Sequence, residues 1–352
     1  LKDLGVTVLY LNPIFLASSN HRYDTSDYLK TDPFLGTEEE FKQLVDSAKN
    51  LGIRVILDGV FNHTGDNSVY FNKYGKYDSL GAYQSKESPY YSWYSFQNHP
   101  DKYSSWWGID ILPEVNEKST SYQDFIFGKE GVLKKWLSFG IGGYRLDVAD
   151  ELPDFFLKKL RKSVKEEDEN AVIIGEVWED ASNKVAYSKR REYLQGYELD
   201  SVMNYPFSNA ITDFLTGGNG NDFCEVVMTI LENYPPPVLH SLMNHIGTHD
   251  TCRILTRLTK NPKSTYDRSW AAKQILSPEE YKKGVRFLKL AAALQYGLVG
   301  IPSIYYGDEA GLYGYGDPFC RATYPWGKED MDLVTFYQKL GQIRKAHPFL
   351  AD

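Results

Sequence analysis

The feature that most constrains the fold is a recurring apolar, β-branched run that alternates with helical patterns. Seven such runs occupy residues 7–12, 53–60, 143–148, 171–178, 198–205, 240–247 and 301–307. Helical patterns separate most of them, over residues 37–52, 129–140, 153–167, 277–297 and 332–347. This alternation predicts a parallel sheet with helices outside it, and near-continuous apolar runs suit strands that are buried on both faces.

The number of strands favours a closed barrel over an open sheet. A TIM (β/α)8 barrel needs eight strands, and the chain opens on "LKDLG", which resembles the end of a helix with its glycine cap. We therefore predict an α/β fold, a TIM barrel whose first strand is missing upstream. The alternative is an open doubly wound sheet, but no GxGxxG loop follows the first strand.

One connection is too long to be an ordinary loop. Residues 64–116 show no clear helix and are rich in aromatics, as in "YYSWYSFQNHP". A structureless loop of that length is uncommon inside a compact domain, so we predict a small inserted domain over 64–116. The barrel would then comprise 1–63 and 117–352. We expect most of these aromatics to form a core within the insertion.

Composition excludes several classes of partner. The net charge of −8 argues against nucleic acid and against an anionic membrane surface. No apolar run approaches the length of a membrane span. The three cysteines form neither a disulfide ladder nor a CxxC metal motif and are predicted to be free thiols. The 27 tyrosines are unusual; aromatic faces stack on sugar rings, although they more often fill cores.

Polar residues gather at the predicted strand ends, which is where a TIM barrel carries its active site. Four strand ends each carry an acid, and a packing role would not require acids at the same end repeatedly. The residues concerned are Asp58, then Arg145 and Asp147, then Glu176, and finally His249 and Asp250.

The segment "GYRLD" places Arg145 and Asp147 on one face of a strand, because side chains two apart point the same way. Buried charges are costly unless they are paired. Two carboxylates that flank one bond are the means of glycoside hydrolysis. We expect Arg145 to keep Asp147 ionised as the nucleophile. Glu176 has no cationic neighbour in sequence, so we expect desolvation to keep it protonated as the acid/base.

The chain resembles the α-amylase family, glycoside hydrolase family thirteen. The segments "DGVFNH", "GYRLDVADE", "GEVW" and "IGTHD" occur in the order of its four signature regions, and "YDTSDY", "LPEVN" and "GIPSIYYGDEAG" are similar to its accessory regions. The resemblance covers essentially the whole chain. Within the family, "LPEVN" and "GEVWEDAS" are most similar to neopullulanases, cyclomaltodextrinases and amylopullulanases. The family's inserted domain follows the third strand, and its C-terminal β-sandwich is expected to be absent here.

The resemblance implies roles for further residues. Asp250 would be a third carboxylate that binds hydroxyls of the sugar in the cleavage subsite. His63 and His249 would hydrogen-bond that sugar, and Tyr23 would stack under it. On the leaving-group side, Trp178 would offer a platform. Asp58 would support Arg145 from the neighbouring strand.

The resemblance leaves metal binding and reaction type open. Many members bind a structural calcium ion through the asparagine that matches Asn62, although this residue would equally brace a loop; catalysis needs no cofactor. The expected activity is retaining hydrolysis of α-1,4-glucosidic bonds in starch-like glucans. The alternatives are an α-glucanotransferase with the same carboxylates, and a glucan-binding protein without activity. The three intact acids, Asp147, Glu176 and Asp250, argue against the last.

Overall fold

The computed structural model describes residues 1–260, 262 and 266–350, and these form two compact units. The first unit comprises Thr7–Glu176 and Val185–Asp200. The second comprises Leu1–Val6, Val177–Lys184 and the described residues from Ser201 onward. Over the described ranges, the helices are too short or too polar to cross a bilayer.

The first unit contains ten strands and four α-helices among its described residues. In chain order these are β1 Val8–Leu11, β2 Phe15–Ala17, β3 Thr25–Thr31, α1 Glu38–Asn50, β4 Arg54–Gly59, β5 Phe96–Asn98, β6 Lys102–Tyr103, α2 Thr120–Phe127, α3 Val132–Ser138, β7 Gly143–Leu146, α4 Asp154–Glu167, β8 Val172–Gly175, β9 Val185–Ala186 and β10 Lys189–Arg190.

A parallel sheet in the order β1, β4, β7, β8 organises this unit. Parallel neighbours require crossover connections, and helices α1 and α4 lie in two of these. The helix α1 begins where the sequence predicts it, because Thr37 and Glu40 form a capping box there. The predicted strand–helix alternation is therefore confirmed for these strands.

The strand that carries Arg145 is shorter than the sequence predicts. We expected a strand over 143–148, but β7 ends at Leu146 and Val148 adopts a left-handed backbone with φ 39°. Such a conformation is an outlier for a β-branched residue. The alternation of faces consequently stops at Asp147, and the chain turns into a single 3-10 turn at Ala149–Glu151.

The long connection contains a small hairpin, β5–β6, and a cluster of aromatic rings. The ring of Phe71 lies 4.8 Å from those of Tyr94 and Tyr103, so aromatic rings of residues 64–116 pack on one another. Tyr70 packs both on Trp93, at 5.1 Å, and on Tyr28 of β3, at 5.8 Å. The hairpin of β2 and β3 was not predicted, because no apolar run marks either strand.

The second unit is mainly helical over its described residues. Its elements are β11 Ser201–Val202, α5 Tyr205–Leu215, α6 Gly220–Asn233, α7 Pro236–His240, β12 Met243–His245, α8 Ile254–Lys260, α9 Arg268–Ala271, α10 Pro278–Gly297, β13 Ile301–Ser303 and α11 Met331–Ala346. Strands β12 and β13 pair in parallel. A core between α8 and α10 includes Leu255, Leu258 and Leu288.

Trp136 anchors the core of the first unit and generates a stability prediction. It is fully buried, its ring lies 5.0 Å from Phe15, and its indole N–H donates to the Tyr28 carbonyl at 2.8 Å. We expect Trp136→Ala to lower the free energy of unfolding by about 3–5 kcal/mol, because it leaves a cavity. Urea unfolding followed by circular dichroism measures this.

Trp107, whose side chain is 80% exposed in the same unit, supplies the matched control. We expect Trp107→Ala to change the free energy of unfolding by about 0.5 kcal/mol or less. Equal losses for the two variants would contradict the distinction between a core tryptophan and a surface one.

Candidate active site

The carboxyl ends of β1, β4, β7 and β8 lie at one edge of the sheet, because parallel strands run in the same direction. The pairing register places Asp58 beside Arg145. It also places Arg145 beside Ile174, two residues before Glu176. Three of the acids that the sequence assigns to strand ends, Asp58, Asp147 and Glu176, are thus brought together at this edge.

Arg145 is fully buried and contacts all three acids. Its Nη1 lies 2.8 Å from Asp58 Oδ1 and 2.9 Å from Asp147 Oδ1. Its Nη2 lies 2.8 Å from Glu176 Oε2. The expectation that Glu176 lacks a cationic neighbour is therefore wrong. The cation comes from the adjacent strand, and only the register of the sheet reveals it.

Asp58 receives two further hydrogen bonds at the same edge. The hydroxyl of Tyr10 donates to its Oδ2 at 2.6 Å, and the hydroxyl of Tyr23 donates to the same oxygen at 2.8 Å. Burial raises the pKa of Asp58, while Arg145 and the two tyrosine hydroxyls lower it. Asp58 therefore accepts hydrogen bonds from two tyrosines and from Arg145, and these contacts hold the guanidinium in place.

Asp147 is subject to opposing influences. Burial raises the pKa of Asp147 well above its ordinary value, Arg145 lowers it, and the negative charge of Glu176 raises it. We expected Arg145 to keep Asp147 ionised; the guanidinium does favour the charged form, but burial and Glu176 oppose it. Three buried carboxylates share one cation here, and the pKa of Asp147 rises in part because like charges at one site oppose one another.

Val148 completes the contacts of Glu176. Its backbone N–H, oriented by the left-handed turn, donates to Glu176 Oε2 at 2.9 Å. The same oxygen therefore receives a guanidinium and a main-chain donor. The hydrogen bond to Glu176 is one of the contacts that stabilise the strained backbone of Val148, since a strained residue persists only where surrounding contacts hold it.

His63 lies in the same unit and is held in a neutral form. Its Nε2 lies 3.1 Å from the Tyr23 carbonyl oxygen, so that nitrogen carries the proton. Its Nδ1 is then an acceptor and lies 3.3 Å from the side-chain amide of Asn62, which must turn its NH₂ group towards the ring. Burial lowers the pKa of His63 to about 4. A neutral imidazole there is a hydrogen-bonding group rather than a cation.

The remaining predicted residues lie in the second unit. Asp250 Oδ2 is 3.2 Å from His249 Nε2, and its Oδ1 is 3.5 Å from Arg321 Nη2. Trp178 stacks on Tyr205 with ring centroids 4.1 Å apart. His249 and Asp250 therefore lie together with the guanidinium of Arg321. The half-exposed ring of Trp178 covers the buried ring of Tyr205.

Sequence reasoning missed Tyr10 and Arg321. The sequence contains a signal for Tyr10, because this residue lies two positions before the end of the predicted strand 7–12 and residues two apart on a strand share a face. Arg321 gave no signal, since it is the last residue of the 3-10 turn Phe319–Arg321, far along the chain from its partner Asp250.

Asn62, the candidate calcium ligand, is fully buried. Its Nδ2 has no hydrogen-bond partner among the described residues. Amide oxygen and nitrogen positions are interchangeable by a flip, so the orphaned position is one where an amide oxygen would meet a cation such as Ca²⁺. A single oxygen does not make a calcium site.

Elsewhere in the first unit, Asp154, Glu192 and Glu198 bring carboxylate oxygens within 4.8 Å of one another, the one such group within the described ranges. Asp154 is paired with Arg191 and Lys189, and Glu192 with Lys158. These counter-charges occupy oxygens of Asp154 and Glu192, whereas neither oxygen of the buried Glu198 has a hydrogen-bond partner among the described residues.

Comparison with known proteins identifies the family of the chain. The alpha amylase catalytic domain family matches residues 1–332. An amylopullulanase of Thermoanaerobacter thermohydrosulfuricus is 43% identical over 383 aligned positions, covering 99% of this chain and 25% of that protein. A cyclomaltodextrinase of a Bacillus species is 33% identical, covering 99% of this chain and 57% of its own length.

The chain is also similar to solved structures. The type III pullulan hydrolase from Thermococcus kodakarensis has a TM-score of 0.85 and 31% identity, covering 100% of this chain and 58% of that one. The chain thus spans between a quarter and somewhat more than half of the length of these relatives. The chain belongs to the α-amylase family, and this membership implies a TIM barrel that includes the parallel strands β1, β4, β7 and β8.

Proposed function

We propose that the chain is the catalytic part of a retaining glycoside hydrolase that cleaves α-1,4-glucosidic bonds in starch-like α-glucans. The observation that carries this proposal is the buried Arg145, which bridges Asp58, Asp147 and Glu176 at one edge of the sheet. Relatives named amylopullulanase and cyclomaltodextrinase support the choice of α-glucans as substrate.

The proposed reaction uses one proton on the carboxylate pair. Asp147, as the carboxylate, attacks the anomeric carbon while Glu176 donates its proton to the leaving glycosidic oxygen. Glu176 then takes a proton from water, and that water displaces Asp147 from the sugar. Retaining enzymes keep the two carboxyl groups about 5–5.5 Å apart. Two terminal nitrogens of a single guanidinium hold Asp147 and Glu176 here, which suits such a spacing.

The other residues are assigned to binding and support. Asp250 would bind hydroxyls of the sugar at the cleavage point, and His249 would hydrogen-bond that sugar. His63 would donate its Nε2–H to the sugar in place of the Tyr23 carbonyl oxygen that accepts it here. Tyr23 would stack beneath it, with its ring held by the hydrogen bond to Asp58. Trp178 would form a platform on the leaving-group side.

Two structural proposals accompany this function. Residues 64–116 would be the inserted domain, between barrel segments 1–63 and 117–352. Asn62 would contribute to a structural calcium site, on the basis of its orphaned amide. The ion would brace the chain and take no part in bond cleavage.

The first prediction from the proposed function concerns the nucleophile. The parent should release sugars from soluble starch, pullulan or β-cyclodextrin, and Asp147→Asn should lower the rate by about 10⁴-fold or more, since an amide cannot form the glycosyl intermediate. Chromatography of the products measures both. Asp46→Asn, which alters an exposed aspartate on α1, is the control and should keep the parent rate.

The outcomes separate the competing functions. Equal activity of Asp147→Asn and the parent would refute the assignment of the nucleophile. Longer products than the substrate, in place of hydrolysis, would identify an α-glucanotransferase. Glucan binding without any sugar release by the parent would favour the non-catalytic relative.

The second prediction tests the neutral form of His63. The unfolded chain binds a proton on this residue below its ordinary pKa of 6.5, whereas the folded protein does so only near pH 4. The free energy of unfolding is therefore unaffected by His63 above pH 6.5. It decreases as the pH falls from 6.5 to 4, by about 3 kcal/mol in total.

Urea unfolding at a series of pH values across this window measures the slope. We expect the parent to lose more stability on acidification than His63→Gln, which keeps a neutral hydrogen-bonding side chain. Parallel pH dependences for the two proteins would show that His63 is not buried in the neutral form.

A further inference from the structure

A second group of acids lies in the first unit. Asp154 begins the helix α4, and Glu192 and Glu198 lie in the segment that follows the hairpin β9–β10. One carboxylate oxygen of each acid lies within 4.8 Å of the other two. Asp154 and Glu198 are buried, and Glu192 is half-buried. Negative charges at such short range and away from water require nearby cations.

Glu198 is the member of the group whose contacts are incomplete. Its side chain is fully buried, yet neither carboxylate oxygen has a hydrogen-bond partner among the described residues. The ammonium of Lys158 lies 3.9 Å from Glu198 Oε1, which is beyond hydrogen-bond distance. Burial and the negative charge of Asp154 raise the pKa of Glu198 to about 7. Open lone pairs on a buried carboxylate destabilise a fold unless a ligand occupies them.

Arg191 is a firmly held cation of the group. Its guanidinium is buried, with Nε 2.9 Å from Asp154 Oδ1, and it also donates to the carbonyl oxygens of Asp150 and Leu152. The ring of Tyr193 covers the guanidinium, with its centroid 4.8 Å away. Because these contacts fix Arg191, its positive charge stays beside the acids whichever further cation they bind.

Two lysines supply further positive charge and reach the group from the surface. Lys158 contacts Glu192 Oε2 at 2.5 Å, and its side chain is 42% exposed. Lys189 contacts Asp154 Oδ2, and its side chain is 63% exposed. The long stem of a lysine allows its ammonium group to turn outward into water. Unlike Arg191, these two cations are therefore replaceable.

Charge and spacing together favour Ca²⁺ as the replacement. With both lysines turned into solvent, the three carboxylates and Arg191 would carry two net negative charges, which one divalent cation balances. Oxygens bound to one Ca²⁺ ion at about 2.3–2.6 Å lie at most about 5 Å apart, whereas the limit for Mg²⁺ is about 4 Å. The three acids, with oxygens within 4.8 Å of one another, satisfy the calcium limit as they stand.

We propose that Asp154, Glu192 and Glu198 bind one Ca²⁺ ion, which displaces the two lysine ammonium groups from these acids. Glu198 would supply both of its open oxygens, and Asp154 would keep its contact with Arg191. Water would complete the coordination. Asn62 is not a member of this group, so the site is distinct from the calcium site proposed there.

The ion would connect two segments that lie next to the proposed catalytic acids in the chain. Glu192 and Glu198 belong to the connection after β8, the strand that precedes Glu176. Asp154 begins the helix that follows β7 and Asp147. Calcium would therefore brace the segments behind both strand ends. It takes no part in bond cleavage, so the inference does not depend on the proposed hydrolysis.

Calcium binding is tested on the chain after treatment with EDTA and dialysis. At a CaCl₂ concentration of about 100 times the calorimetric Kd, we expect the Tm of the parent to rise by about 5 °C, because the ion binds only the folded state. Glu198→Gln removes a ligand charge and should weaken binding by about tenfold or more, with a correspondingly smaller rise. No rise in the parent, or an equal rise with MgCl₂, would overturn the proposal.

Glu38→Gln is the matched control for these measurements. Glu38 is also a partly exposed acid of the first unit paired with a lysine, Lys135, at 2.9 Å, and its variant should keep the parent response. Glu192→Gln alters a side chain that is 35% exposed and decides the question if Glu198→Gln does not fold. A response that persists in both site variants but disappears in Asn62→Ala would place the ion at Asn62 and refute this site.

Displacement of a lysine gives a prediction of opposite sign. Lys158→Gln removes an ammonium group that competes for Glu192, so calcium should bind about two- to fivefold more tightly, the equivalent of an exposed ion pair. Lys162→Gln is the control, since Lys162 lies one turn further along α4 and pairs with Glu166 at 3.8 Å. Equal affinities of the two variants, measured by calorimetry, would refute the displacement.

Discussion

The buried guanidinium of Arg145 is the interaction on which the site depends. A charge without water is costly unless its partners are close and well oriented, and here three carboxylates from three neighbouring strand ends supply that compensation. The same contacts connect β4, β7 and the end of β8. Removal of one member of a buried ion pair typically costs about 3–5 kcal/mol, so these contacts contribute to the stability of the sheet as well as to the position of the acids. Stability and geometry at this edge therefore have one origin.

This arrangement also governs protonation. One guanidinium faces three buried carboxylates, so burial raises the pKa of Asp58 and of Asp147 while Arg145 lowers both. The proposed reaction needs Asp147 as the carboxylate and the proton on Glu176. Arg145, whose Nη1 lies 2.9 Å from Asp147 Oδ1, is the contact that favours the charged form of the nucleophile.

The sequence was sufficient for those features that depend on local periodicity. Apolar runs located β1, β4, β7 and β8, and the rule that parallel strands end at one edge placed Asp58, Asp147 and Glu176 together. It was insufficient where a contact depends on register or on a turn. The ion pair between Arg145 and Glu176 needs the pairing of β7 with β8, and the left-handed Val148 has no sequence signal because a β-branched residue is the wrong type for it. The hairpin β2–β3 lacked the apolar alternation that strand prediction uses.

The left-handed backbone of Val148 connects the proposed acid, Glu176, with the turn that carries Glu151. Its strained backbone orients one N–H towards Glu176 and begins the turn that carries Glu151, so a single local conformation positions both the acid and the anchor of Trp107 and Tyr187. In the proposed reaction Asp147 and Glu176 break the glycosidic bond, which requires that both keep their contacts with Arg145. The exposed rings and the buried ion network therefore depend on one turn but lie in opposite environments, since Trp107 and Tyr187 face solvent whereas Arg145 is fully buried.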